Sequence, residues 1–297
     1  MTVFARVADA GSFAGAARDL NMSAPSITRI IASLEEALGA RLFIRTTRSI
    51  KLTEAGDRYL EDCRRILDEL AQAEAAVSGS FSAAVGTLTV SAPVMFGRIY
   101  IMPILTAFLE RHPKVTGRAL FVDRMTSLVD EGVDVAIRIG HLSDASYVAA
   151  RVGSVRRLIC AAPDYLGERG VPRSPADLAM HRTIGITSAW SAREWRLGRD
   201  STMVARIAPA LYCNTNDAAI AAARDGFGLV RVPSYQVAHE LRAGLLQAVL
   251  EDFEEPPLPV HVVYAERLHA PAKVRLFVDL AVQRLRGDPA ITDASAY

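Results

Sequence analysis

At 297 residues the chain is too long for one ordinary domain and suits two. It is 51% hydrophobic and 23% charged, the balance of a globular protein that buries its core without staples. Cys63, Cys160 and Cys213 form no C-x-x-C and the six histidines show no H-x-x-x-H spacing, which argues against a disulfide scaffold, a zinc site or any metal cofactor.

The net charge of +1 is silent about a polyanionic partner, but Arg41, Arg45, Arg48 and Lys51 are clustered with no acid between them. The longest nearly apolar run, Ile99 to Leu109, contains Pro103 and falls well short of the ~20 residues a bilayer needs. Asp9 and Asp19 interrupt the N-terminal stretch, which does not read as a secretory signal. The expectation is a cytoplasmic protein with no membrane partner.

Residues 1 to about 52 read as short helices followed by a β-ribbon. Ser12 is a suitable N-cap, and Phe13, Ala16, Ala17 and Leu20 then share one helical face. Asn21 to Ser23 breaks the pattern. Ser23 caps a second helix with Pro25 in its first turn; Ile27, Ile31, Leu34 and Leu38 form its predicted buried stripe, and Gly39 ends it. The opposite face carries Pro25, Arg29, Ala32 and Ser33, flanked by Ser26 and Thr28. Short polar side chains and one arginine suit a helix that lies in a major groove. Two helices around a short turn also occur in many helical domains. The ribbon next in the chain favours DNA. Arg41 to Thr53 reads as two strands around a turn at Thr47 and Arg48, with Arg45 leading in, a basic tip for the backbone or minor groove.

The stretch Ala10-Gly-Ser-Phe-x-x-Ala-Ala17, Leu20-Asn-Met-Ser-x-Pro25-Ser-Ile-Thr28-Arg29, Leu34-Glu35-x-x-Leu38-Gly39-x-Arg41-Leu-Phe43-x-Arg45-Thr, then Leu52-Thr-Glu-Ala-Gly56, closely resembles the signature of LysR-type transcriptional regulators. The resemblance implies a winged helix-turn-helix, a dimerising linker helix and a two-lobed effector domain similar to periplasmic binding proteins. It implies a homodimer or homotetramer on an interrupted dyad in double-stranded DNA, answering to a small-molecule effector such as a carboxylate, without cofactor or enzymatic activity. Two departures stand out. The family often has Gln where Ala24 stands, so that base contact does not carry over. It also has several residues before the position of Val3 and Phe4, so either the true start lies upstream or the first helix is a turn short.

From Thr53 to about Ser78 one long charged helix is predicted. Tyr59, Cys63, Ile66, Leu70, Ala73 and Val77 recur at 4-3-4-3-4 spacing, as in a short coiled-coil seam, although a helix packed on its own domain gives a similar stripe. Residues 78–86 are small and Gly/Ser-rich, a linker by composition.

Strand signals at Thr87 to Ala92, Arg118 to Val122 and Val133 to Ile139 alternate with helices at Arg98 to Arg111 and Met125 to Glu131, which predicts a parallel sheet. Further strands are expected at Arg157 to Ala162, Thr183 to Ile186, Leu211 to Asn214, Gly228 to Val232 and Val260 to Tyr264. Helices are expected near Asp164, from Asp217 and from Ala272 to Leu285, before a loose tail. The expected division is 1–52 for the winged helix-turn-helix, 53–80 for the linker helix, and 87–290 for an α/β effector domain of two lobes, 87–160 with 265–290 and 161–264.

Ligands in such folds sit beyond the carboxyl ends of strands. The candidates there are Ser91, Ala92, Pro93 and Val94, Asp123 and Arg124, Arg138 and Gly140, Thr187, and Thr215 with Asn216; helix N-termini among them suit an anion. No G-x-S-x-G or P-loop occurs, and Gly226-Phe-Gly228 lacks the third glycine of a dinucleotide fingerprint. Two rival readings are a solute-binding protein or enzyme on the same fold, and a DNA-binding protein whose second domain only oligomerises. A redox switch through Cys160 and Cys213 is a further option.

Overall fold

The computed structural model describes residues 1–45, 50–77, 84–142, 147–187, 193–265 and 270–292. It divides into two units, Met1–Gly86 and Thr87–Tyr297.

The first unit runs α1 (Thr2–Ala10), α2 (Phe13–Asp19), α3 (Ala24–Leu38), β1 (Phe43–Arg45), β2 (Ile50–Leu52) and α4 (Glu54–Val77). Short-range chemistry sets these boundaries. Ser12 Oγ accepts the Gly15 N–H at 3.0 Å and starts α2. Asn21, at φ 52, makes the turn after α2; its short polar side chain tolerates that left-handed conformation. Ser23 Oγ accepts the Ser26 N–H and starts α3, and Gly39, at φ 63, ends it. β1 and β2 pair antiparallel, Phe43 opposite Leu52.

Phe4, Val7, Ala16, Ile27, Ile31, Leu42, Phe43, Leu60 and Cys63 form the core of this unit. The Phe4 ring lies 5.1 Å from Phe43 and 5.2 Å from Tyr59. Burying each such large side chain contributes roughly 1.5–3 kcal/mol. Gly56 lets α4 into this core, because a Cβ there would stand 2.1 Å from the Leu42 carbonyl oxygen.

Two expectations for this unit need correcting. Leu38 lies outside the core, being 44% exposed, and Glu35 is the buried residue of that last turn. The predicted seam along α4 also divides. Tyr59 and Cys63 pack into the unit's own core together with Leu60, while Ile66 and Leu70 face solvent. The side chains of Ala73 and Val77 lie outside the described residues.

The second unit begins with β3 (Gly86–Ala92), α5 (Val94–Phe96), one π-turn over Gly97–Ile101, α6 (Met102–Arg111), β4 (Val115–Phe121), β5 (Val135–Ile139), β6 (Tyr147–Val155), β7 (Arg157–Ala161) and α7 (Pro163–Arg169). It continues through β8 (Thr183–Ile186), β9 (Glu194–Leu197), β10 (Met203–Arg206), β11 (Leu211–Cys213), α8 (Asn216–Arg224), β12 (Leu229–Pro233), α9 (Ala238–Arg242), β13 (Gln247–Val249), β14 (Leu258–Ala265), α10 (Ala272–Arg286) and α11 (Pro289–Thr292).

Two five-stranded sheets result, ordered β4-β3-β5-β14-β6 and β11-β8-β12-β7-β13. Both are mixed. β3 and β5 are parallel, but β14 runs antiparallel to β5 and β6; β8, β11 and β12 are parallel, but β7 runs antiparallel to β12 and β13. The wholly parallel sheet expected from alternation is therefore corrected, and so are the lobe boundaries. β7 belongs to the second sheet, and β14 crosses back to complete the first. Lobe one is built on β3 to β6 with β14, and lobe two on β7 to β13.

The predicted helix at Met125 to Glu131 does not form. Met125 is 76% and Val129 67% exposed, so Leu128 is the one apolar side chain of this stretch that turns inward and a helical stripe would have nothing to bury. Glu131 instead accepts the Ser127 N–H at 3.1 Å and holds a turn. The expected loose tail is ordered through α11, where Ile291 is fully buried.

Salt bridges hold the two crossings between lobes. Arg156, between β6 and β7, reaches Glu254 at 3.3 Å and Glu251 at 3.7 Å. Glu255 accepts Arg157 at 3.1 Å and also binds Arg231. Burial lowers the pKa of Arg231 and raises that of Glu254, so both charged forms depend on their partners.

Candidate functional site: a helix surface and a cleft

On α3 the face opposite the core presents Ser23, Pro25, Arg29, Ala32 and Ser33 to solvent, with Ser26 and Thr28 half-buried beside them. Ser23 and Ser26 share a hydroxyl hydrogen bond at 2.8 Å, and the Thr28 hydroxyl donates to the Ala24 carbonyl at 3.0 Å. The serine and threonine side chains are thereby held close to the helix, and Arg29 is the long cationic arm of that face. A surface of this relief admits the floor of a major groove. Arg45 ends β1, but its side chain, like Thr47 and Arg48, lies outside the described residues.

Sequence reasoning missed the residue that joins helix to ribbon. Glu35 Oε1 accepts the N–H groups of Leu42 at 2.8 Å and Phe43 at 3.1 Å, and Arg41 lies 3.7 Å from its other oxygen. The signal was its spacing: Ile27, Ile31 and Glu35 recur every four residues, which places an acid within the apolar stripe.

In the second unit the candidates divide. Ser91, 2% exposed near the end of β3, lies 3.3 Å from the Thr126 hydroxyl. Arg138 Nη2 donates to that hydroxyl at 2.8 Å and to the Thr126 carbonyl. Ser91, Thr126 and Arg138 thus form one string, of which Thr126 was not anticipated. Burial is the first cause lowering the Arg138 pKa, while Tyr147 and Glu131 act to raise it. On lobe two, Asn216 donates to Gln236 at 2.8 Å and Gln236 to the Tyr235 hydroxyl at 3.1 Å. Tyr235 packs against Phe96 and Tyr100 of lobe one, with ring centroids 5.2 and 6.0 Å away. Burial is the main cause raising its pKa.

Several candidates are already engaged elsewhere. Ala92 is buried, and its carbonyl accepts the Val122 N–H. Pro93 caps α5 and has no donor, and the Val94 N–H goes to Asp123 at 3.0 Å, so this helix start holds its own carboxylate in place of an external anion. Arg124 is exposed and bidentate on Glu131 at 2.8 and 2.7 Å. The Gly140 N–H goes to Pro259, and the Thr187 N–H and hydroxyl both go to the Cys213 carbonyl. Thr215 caps α8 through its extended backbone.

Cys160 and Cys213 lie on β7 and β11, three strand spacings apart, or about 14 Å. That is well beyond disulfide reach. Burial raises both thiol pKa values, that of Cys160 to about 12, so the redox reading is withdrawn. Among the described residues no group of three His, Cys, Asp or Glu could hold a metal ion, and no helix is long and apolar enough to cross a membrane.

Comparison with known proteins assigns both units. Residues 1–57 match the model for the bacterial regulatory helix-turn-helix protein, lysR family, and residues 82–286 match that for the LysR substrate binding domain. An uncharacterized HTH-type transcriptional regulator of Haemophilus influenzae is 33% identical over 92% of this chain and 96% of its own. The HTH-type transcriptional activator AaeR of Escherichia coli is 32% identical over 94% of this chain and 91% of its own. The solved structure of CrgA, a LysR-type transcriptional regulator from Neisseria meningitidis, is 30% identical with a TM-score of 0.62, covering 97% and 98% of the two chains.

Proposed function

The chain belongs to the LysR family of DNA-binding transcriptional regulators with an effector-binding domain, and from that premise we propose how it reads DNA and what it senses. α3 enters the major groove with Arg29 on a base edge and Ser23, Pro25, Ser26, Thr28 and Ser33 along the groove wall. The wing, with Arg45, Thr47 and Arg48, holds the phosphate backbone. The observation that carries this reading is the α3 face, which is polar, low in relief and carries one long cation.

A second copy covers Ile66 and Leu70 on α4, continuing over Ala73 and Val77, and the resulting homodimer or tetramer binds an interrupted dyad. The effector is a small organic acid. Arg138, with Ser91 and Thr126, supplies its cationic and hydroxyl contacts in lobe one, and Asn216 with Gln236 supplies the amide side in lobe two. Supporting this is the convergence of a half-buried guanidinium near the end of β5 with two buried hydroxyls, Ser91 near the end of β3 and Thr126 in the loop between β4 and β5. Thermal melting of the full chain against a panel of organic acids tests it, because a ligand at 100 times its Kd adds about 2.7 kcal/mol. If no acid shifts the melting temperature, the effector assignment fails.

A further inference from the structure

We infer that lobe one carries a separate site for a tetrahedral oxyanion, phosphate or a phosphate monoester, formed by Arg151, His261 and His141. On β14, His261 pairs with Arg138 of β5 on one side and with Arg151 of β6 on the other. Directly opposed residues share a sheet face with Cβ atoms about 4.5–5.5 Å apart, so three basic side chains form one row across three strands.

Like charges so placed oppose one another unless something lies between them. Arg138 turns away to Thr126. Arg151 is exposed and, among the described residues, has no carboxylate partner. His261 Nδ1 is buried and, among the described residues, has no hydrogen-bond partner, an orphaned polar atom on a side chain of this row. His141 follows Gly140, whose N–H donates to the carbonyl of Pro259 at 2.8 Å, two residues before His261 on β14; with burial as the leading cause, Arg151 and then His141 hold the His261 pKa down. Among the described residues, the charges that act on this imidazole are cationic.

The backbone is shaped for the purpose. The β14–β6 ladder breaks register between Val260 and His261, a bulge of the kind that re-aims side chains. Arg286 of α10 pins the bulged strand, donating through Nε and Nη2 to the Arg151 carbonyl at 3.2 and 2.8 Å. One planar guanidinium matches the two oxygens of a carboxylate. Donors contributed by three chain segments, instead of by one guanidinium, suit an anion with oxygens in more than two directions.

Calorimetric titration of the full chain with inorganic phosphate, glycerol phosphate and acetate tests this. Wild type is expected to bind phosphate or glycerol phosphate saturably and acetate far more weakly. Arg151→Gln, at an exposed position that leaves the fold alone, and His261→Gln should each weaken binding by about tenfold or more, as loss of one charge-assisted contact implies. Ser91→Ala should leave it unchanged, which separates this site from the cleft. Binding of glycerol phosphate alone identifies a metabolite ester, and binding of both identifies the bare anion. Absence of saturable binding, a preference for acetate, or wild-type affinity in Arg151→Gln overturns the site.

Discussion

Glu35 and Leu42 are joined by a hydrogen bond of 2.8 Å from the Leu42 N–H to the Glu35 carboxylate, and both residues are buried. One buried acid thereby fixes where the ribbon leaves the helix that would carry it onto DNA. Glu35→Ala leaves the N–H groups of Leu42 and Phe43 without an acceptor, at about 1–3 kcal/mol each. The variant should lower the urea midpoint of the first unfolding transition, and Glu35→Gln, which keeps one acceptor, should lower it less. Equal midpoints for the two variants would mean that charge alone matters there.

The two halves of α4 should respond differently. Leu70→Asp places a carboxylate where a second copy is proposed to pack, and should yield smaller species by sedimentation with the monomer fold intact. Cys63→Asp, in the core of the same helix, should unfold the first unit. An unchanged oligomer for Leu70→Asp removes that stretch from the interface.

In the cleft, Ser91→Ala combined with Arg138→Ala should abolish the effector response while binding of effector-free protein to its operator survives. The two side chains meet through Thr126, so Thr126→Val should reproduce much of the loss. A double variant that responds at wild-type effector concentrations places the site elsewhere.

Stability should fall on mild acidification. Burial is the leading cause holding His181 and His261 below the usual 6.5, so the unfolded chain takes up protons first and stability is lost as pH falls through 6.5. Glu131 is held low by Arg124, and Asp217 by Thr215; their contribution is present above the usual carboxylate range and lost below it. Glu254, raised by burial, acts in the opposite sense. The urea midpoint should drop between about pH 7 and pH 5.5, and His261→Gln should reduce that drop. The same slope in wild type and variant would remove His261 as a contributor.

Elements whose ends are set by local chemistry were legible in the sequence. Ser12, Ser23 with Pro25, and Gly39 each mark a boundary the structure keeps, because caps act within one turn. The wing, too, could be read as two strands from Arg41 to Thr53. Elements fixed by distant partners were not legible. β6 is an edge strand with an irregular burial pattern and gives no clean alternation. Nothing local tells β14 to cross back to the first sheet. Position in sequence singled out Ser91 and Arg138 as candidates, but the loop residue Thr126 that joins them follows no strand end. On α4 the stripe divides, because periodicity cannot say whether the covering surface comes from the same chain or another: Cys63 is covered within its own unit and Leu70 faces solvent.

That α3 reads base edges is tested most directly by comparing affinities for a selected operator and for random DNA of equal length, across a range of salt, in wild type, Arg29→Ala and Arg48→Ala. Arg29→Ala should lose about 1–3 kcal/mol on the operator and little on random DNA. Arg48→Ala should weaken both and reduce the salt slope by about 1, as loss of one phosphate contact requires. Equal losses on both DNAs for Arg29→Ala would contradict the account, since Arg29 would then touch only the backbone and the exposed face of α3 would carry no sequence information.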